Sequence, residues 1–244
     1  MTLKNFEGNK IPLIDFKIRD NDEWKTLTTQ DVFHNKTVVA FSLPGAFTPT
    51  CSSSHLPRYN ELAPVFFENG VDEIVCLSVN DTFVMNEWAK DQESQNVRLL
   101  PDGNGEFTEQ LGMLVDKSAL GFGKRSWRYS MLVKNGVVEK AFIEPDVPGD
   151  PFEVSDADTM LKYINPKAAK PDQVAIFTKE GCSFCAEAKE ALTKAGFDYA
   201  EIPLSHQTRN RIIGAVTGEQ AVPQIFINGK YIGDSQALNN YLNR

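Results

Sequence analysis

The sequence predicts an α/β protein built from two units of unequal size, and three observations carry that reading. Two short apolar runs, TVVAFSL (37–43) and EIVCLSV (73–79), are bounded by turn residues and separated by helical patterning, as strands buried on both faces of a sheet are. The pattern breaks in YINPKAAKPDQVAIF, where a helix ends near Asn165, prolines stand at 166 and 171, and a β-branched strand starts at Val174. Beyond that break, strand, helix, strand, helix, two strands and a helix follow one another closely. Residues 1–165 are read as the first domain, 166–172 as a linker and 173–244 as the second domain.

In the first unit, residues 52–69 place apolar side chains at roughly helical spacing, and NEWAKDQE (86–93) reads as a short helix with a polar face. YSMLVKNGVVEKAFIE sets Asn135-Gly136 between two alternating runs, a hairpin signal because both turn positions need a positive φ. A sandwich with a mixed sheet fits. The second unit reads strand 174–178, helix 183–195, strand 198–202, helix 206–217, strands 224–228 and 230–232 around Asn228-Gly229, then helix 235–243. That order is βαβαββα. No internal repeat or low-complexity tract interrupts it.

Residues 1–167 hold 17 basic and 25 acidic residues and the remainder 8 of each, so the net charge of −8 belongs to the first part. Such a balance repels phosphate backbones and anionic lipids, which argues against nucleic-acid and membrane partners. No apolar run approaches the about 18 residues a membrane helix needs, and MTLKNFEGNKIPLIDF lacks the charged start and apolar stretch of a signal peptide. The expected location is the cytoplasm.

Four cysteines, Cys51, Cys76, Cys182 and Cys185, are spaced too unevenly to read as a disulfide framework in a reducing compartment. In FTKEGCSFCAEAKEAL, a Cys-X-X-Cys pair stands where a strand runs into a helix. A cysteine there faces unpaired N–H groups and the positive end of the helix dipole, which favour thiolate. Cys182 is therefore the expected nucleophile, Cys185 the thiol that attacks a mixed disulfide formed on it, and Lys179 an added positive charge. Half of a zinc site is the alternative, but no second pair follows and His206 alone cannot complete it.

Cys51 ends PGAFTPTC, at the predicted start of the 52–69 helix. A free thiol with a pKa of about 8.5 is only ~3% thiolate at pH 7, so fast chemistry needs the ionised form stabilised. The candidates are the helix start, the Thr48 hydroxyl three residues earlier and Arg128 in SWRYSMLV, while Pro44 can shield the sulfur from water. Arg128 bridging a surface carboxylate is the alternative. Cys76, inside an apolar run, reads as a small core hydrophobe, with a resolving thiol as its alternative. His34 and His55 read first as surface or packing residues, although His55, one turn after Cys51, is placed to tune it. Trp24, Trp88 and Trp127 read as core or contact residues.

The last 72 residues resemble a glutaredoxin along their whole length, through GCSFC and AVPQIFINGKYIGDSQAL. The resemblance implies a cis Pro223 facing the active cysteine, the Val222 backbone pairing with the cysteine of glutathione, Asp234 and Ser235 at its γ-glutamyl end, and Lys179 near its glycyl carboxylate. A loop proline and a helix N-cap are the plainer readings of Pro223 and Asp234-Ser235, and both sets can hold together. Between the cysteines this chain has Ser183-Phe184 where the commonest members have Pro-Tyr.

PGAFTPTC fits the Pro-X-X-X-Thr-X-X-Cys motif of the peroxiredoxins, and its wording resembles their type II class, with similarity extending through LSVND (77–81) and WRYSM (127–131). That resemblance implies two thioredoxin-like domains in sequence, with Cys51 attacking a peroxide O–O bond while Thr48 and Arg128 position the peroxide. It requires no metal, no haem and no tightly bound cofactor. A sulfenic acid without an internal resolving thiol needs an outside one; glutathione fits, because glutaredoxin potentials of about −200 to −230 mV lie within reach of its pool. The expected reaction is glutathione-dependent reduction of hydrogen peroxide and organic hydroperoxides. A homo-oligomer is expected too, since it lets Cys182 of one chain serve Cys51 of another. A peroxide sensor relaying oxidation to a partner protein, and a general disulfide reductase, are the rival functions.

Overall fold

In the computed structural model, which describes residue 3 and residues 5–243, the run TVVAFS forms strand Thr37–Ser42. Its alternate side chains enter opposite layers. Val38 and Ala40 pack with Val75, Leu77 and Met131, while Val39 and Phe41 pack with Ile74, Cys76 and Tyr59. Burial on both faces is why these strands read as continuous apolar runs. The five-stranded sheet runs in the order Arg98–Pro101, Glu73–Ser78, Thr37–Ser42, Tyr129–Lys134, Val137–Ile143; the first three are parallel and the last two antiparallel. Asn135 and Gly136, at φ 47° and 74°, make the tight turn of the final hairpin. Helices Leu56–Glu68 and Ala157–Ile164 cover one face.

A two-stranded hairpin, Asp15–Asp20 with Glu23–Thr28, was not anticipated. The residues of its second strand are exposed or half-buried, so no alternation marks it. The helix expected over 86–93 begins earlier, at Thr82, because the Asp81 carboxylate accepts the N–H groups of Phe83 and Val84. Trp88 and Trp127 are buried, whereas Trp24 is 60% exposed and meets the Phe83 ring edge-on.

The second unit forms a four-stranded sheet in the order Ala200–Pro203, Val174–Thr178, Gln224–Ile227, Lys230–Gly233, the first pair parallel and the others antiparallel. The strand expected at 198–202 lies at 200–203, and the helix expected from 206 starts at Arg209, after a turn in which the Ser205 and Thr208 hydroxyls pair. Gly233, at φ 118°, leads into Asp234; a Cβ there would stand 2.8 Å from that of Ala237, so this approach to the last helix requires glycine.

The chain divides between Ala169 and Lys170. Residues at both ends of the 166–172 stretch dock on their own units. Asn165 donates to the Asn69 side chain and Ala168 packs on the first core, while Asp172 accepts from Asn228. Among the described residues no helix is long and apolar enough to cross a membrane.

Candidate active sites

Strand Thr37–Ser42 delivers the chain to the loop before Cys51. Pro44 and Gly45 are buried, and the Asn80 side-chain Oδ1, from LSVND, accepts the Ala46 N–H at 3.1 Å. Phe47 adopts a left-handed φ of 61° and is half exposed, a conformation that persists in a non-glycine residue where its surroundings fix it. The Thr48 hydroxyl donates to the Gly45 carbonyl at 2.9 Å, which leaves its oxygen lone pairs to accept from a bound hydroxyl or hydroperoxyl group. Cys51 is a fully buried free thiol. It opens a π-helical turn, Cys51–His55, that continues into helix Leu56–Glu68.

Arg128 immediately precedes strand Tyr129–Lys134 and is 1% exposed. Its Nη1 stands 3.6 Å from the Cys51 sulfur and 3.1 Å from His55 Nδ1, and its Nη2 lies 2.6 Å from both carboxylate oxygens of Asp150. The Phe152 ring lies 5.4 Å from the guanidinium carbon. Arg128 thus faces the cysteine with one nitrogen and pairs with a partly exposed carboxylate through the other. His55, read first as a surface or packing residue, is buried, packs on Phe41, Tyr59 and Phe152, and joins this cluster. Its Nε2 is 3.2 Å from the Ser155 carbonyl; a carbonyl only accepts, so Nε2 carries the hydrogen and Nδ1 accepts from Arg128.

Burial first, and then the Arg128 charge, hold the His55 imidazole well below its usual titration range. The unfolded chain takes up that proton near pH 6.5 while the folded one does not. Stability of the first unit should therefore fall as pH drops below about 6.5, by up to ~1.4 kcal/mol per pH unit from this residue. All three tryptophans lie in the first unit, so urea unfolding followed by their fluorescence at pH 5 and 7 measures it. His55→Asn is expected to flatten that dependence by one proton; an unchanged slope would contradict the assignment.

Cys76 pairs in register with Phe41 and is buried, and burial pushes its thiol well up. It is packing.

In the second unit, Cys182 is the N-cap of helix Ser183–Lys194 and its sulfur accepts the Cys185 N–H at 3.1 Å. The two cysteines form a disulfide, with Cys185 2% exposed beneath the more accessible Cys182. The Val222 carbonyl oxygen lies 3.8 Å from the Cys182 sulfur, and the Val222–Pro223 bond is cis. Lys179 and Cys182 line one open groove of about 810 Å³, with Lys189 and Glu201 on its wall. Those two form an ion pair at 2.9 Å that Thr178 joins through its hydroxyl, a feature not foreseen. Asp234 caps the last helix, accepting the Ala237 N–H at 2.9 Å, and Ser235 is that helix's first residue; neither lines the groove.

A buried thiol under an arginine and a dithiol at a helix start place the chain among the thiol-based oxidoreductases. Its residues 6–161 match the Redoxin family and 174–232 match Glutaredoxin. Hybrid peroxiredoxin hyPrx5 of Haemophilus influenzae is 61% identical over 239 residues, 98% of this chain and 99% of that protein. Peroxiredoxin sll1621 of Synechocystis is 58% identical over 64% of this chain and 89% of its own length. Among solved structures, reduced Prx3 from Vibrio vulnificus in complex with hydrogen peroxide matches with a TM-score of 0.61 and 39% identity, covering 65% of this chain and 98% of that one. The chain belongs to the hybrid peroxiredoxins, a thioredoxin-fold peroxiredoxin followed by a glutaredoxin.

Proposed function

We propose that the protein is a glutathione-dependent thiol peroxidase acting on hydrogen peroxide and organic hydroperoxides, with Cys51 as the peroxide-reacting thiol and Cys182 as the recycling one. The observation that carries this reading is the contrast between two sulfurs of the first unit. Both are buried, but Cys51 opens a helical turn 3.6 Å from the Arg128 guanidinium, while Cys76 sits in mid-strand paired in register with Phe41, so resolution is assigned to an outside thiol. The Cys51 thiolate attacks the peroxide, becoming a sulfenic acid as the O–O bond breaks and an alcohol or water leaves. Arg128 offsets the charge that moves onto the leaving oxygen, the Thr48 hydroxyl orients the peroxide, and buried Pro44 keeps bulk water away. A glutathione thiol then condenses with the sulfenic acid, releasing water and forming a mixed disulfide.

Cys182 takes the glutathionyl group by attacking its sulfur, which frees Cys51 as thiolate. A second glutathione then attacks the glutathionyl sulfur, giving oxidised glutathione and the Cys182 thiolate, or Cys185 attacks the Cys182 sulfur, giving the Cys182–Cys185 disulfide and released glutathione. Lys179 in the groove and Val222 and Pro223 next to Cys182 hold the glutathione during this exchange, and Asp234 and Ser235, which lie outside the groove's lining, take its γ-glutamyl end where it extends beyond. Glutathione is a co-substrate, and the cytoplasm is where its pool is supplied. Joining both modules in one chain raises their effective concentration for each other.

The test is to trap the intermediate. Cys182→Ser treated with one equivalent of peroxide and then glutathione should gain the mass of one glutathionyl group, mapped to Cys51 by peptide mass spectrometry. A Cys51 that stays as sulfenic or sulfinic acid under those conditions contradicts the cycle. The short connection between the units favours transfer between chains of a homo-oligomer, and light scattering at working concentration should give at least a dimer mass; a monomer mass there would contradict it.

A further inference from the structure

Glu144, just after strand Val137–Ile143, is 1% exposed, and nothing in the cycle above uses it. Its carboxylate accepts four hydrogen bonds from one short segment: Oε2 from the Glu153 N–H at 2.8 Å, and Oε1 from the Val154 and Ser155 N–H groups at 3.0 and 2.8 Å and from the Ser155 hydroxyl at 2.7 Å. Four donors around one buried carboxylate are a specific solvation of a negative charge, and they fix the 153–155 backbone in one position. The Glu144 main chain is tied as well. Its N–H donates to the Arg128 carbonyl at 3.1 Å, and its carbonyl accepts the Trp127 indole N–H at 2.9 Å.

Two groups that meet Arg128 lie on the segment that leads into this anchor: Asp150, on Nη2, and Phe152, which lies beside the guanidinium and 4.9 Å from the His55 ring. The segment's end carries the Ser155 carbonyl, which accepts from His55 Nε2 and from the Tyr59 hydroxyl. That carbonyl sets the His55 tautomer, and the tautomer leaves Nδ1 as the acceptor that aims Nη1. We infer that Glu144 is a positioning residue for peroxide reduction: by clamping residues 153–155 it fixes His55 and Arg128 against the Cys51 sulfur. It touches neither thiol nor substrate.

Glutamine at 144 keeps the length but turns an acceptor into an N–H₂ that meets an N–H donor, so the clamp loosens without leaving a hole. Glu144→Gln is expected to lower the second-order rate constant of Cys51 with hydrogen peroxide by roughly 30-fold, the scale of a sub-ångström misplacement of catalytic groups. The control is alkylation of Cys51 by iodoacetamide at a pH high enough to ionise the thiol in every variant. That reaction needs the sulfur but not the aimed arginine, and it should change by less than about threefold or accelerate as the loop opens.

A role confined to stability lowers the melting temperature but leaves the ratio of peroxide to alkylation rates unchanged, and that result overturns the inference. If Glu144→Gln does not fold, Ser155→Ala decides. It removes one of the four donors and keeps the carbonyl, and should lower the same ratio about fivefold, the scale of one hydrogen bond; an unchanged ratio overturns the inference. The argument rests on Cys51 being the peroxide-reacting thiol, which Cys51→Ser tests separately. Retained peroxide reduction there sinks that reading, whereas loss in Cys51→Ser beside an unchanged ratio in Glu144→Gln sinks only the clamp.

Discussion

Cys51→Ser is expected to reduce the rate constant for hydrogen peroxide by at least about 10⁴-fold, the scale of removing a catalytic nucleophile. Serine fits the space that the buried thiol leaves and its oxygen can still accept from Arg128, so the melting temperature should stay within a few degrees. What is lost is the ionised sulfur: a hydroxyl near neutral pH offers almost no alkoxide and attacks a peroxide oxygen poorly. Stopped-flow tryptophan fluorescence with hydrogen peroxide measures the rate, and differential scanning calorimetry controls for folding. A serine variant that still consumes peroxide within tenfold of wild type would place the chemistry elsewhere.

Arg128→Lys is expected to cost roughly 10²- to 10³-fold in the same rate constant, as removal of a preorganised donor to developing charge does. The guanidinium serves Cys51 and His55 through one nitrogen and Asp150 through the other. A lysine ammonium has one nitrogen on a flexible stem and cannot hold that fork. His55 Nδ1 would then be left buried without its donor, so a modest loss of stability should accompany the kinetic one. The diagnostic comparison is with alkylation of Cys51 at high pH, which should change far less. Equal losses in both reactions would mean that Arg128 only maintains the pocket's shape.

The parts of these sites that were legible in the sequence are those written locally. Thr48 and Cys51 lie within one short motif, and the Cys182–Cys185 pair stands at a strand-to-helix junction that periodicity alone locates. The sheet strands announced themselves because burial on both faces leaves an unbroken apolar run. The exposed hairpin at Asp15–Thr28 did not, because water covers most of one strand and erases the alternation. The surroundings of Arg128 were hidden for a different reason. Asp150, Phe152 and Ser155 sit in EPDVPGDPFEVS, which has no period, and they meet residues 22 to 100 positions away. His55 carried only its spacing of one turn from Cys51, a spacing that a packing histidine shows equally well. Buried Glu144 lies between the apolar AFI run and Pro145-Asp146, where a carboxylate marks a strand end as readily as a buried anchor. In the second unit the Lys189–Glu201 wall depends on a helix and a strand lying side by side, which their sequence spacing does not encode.

The decisive measurement is steady-state peroxide consumption driven by glutathione, glutathione reductase and NADPH, comparing wild type with Cys51→Ser, Cys182→Ser and Cys185→Ser. The proposed cycle predicts turnover in wild type and its near-complete loss in both the Cys51 and Cys182 variants, with the Cys185 variant separating one-cysteine from two-cysteine release. Absence of glutathione-driven turnover in wild type, or full turnover in Cys182→Ser, would contradict it.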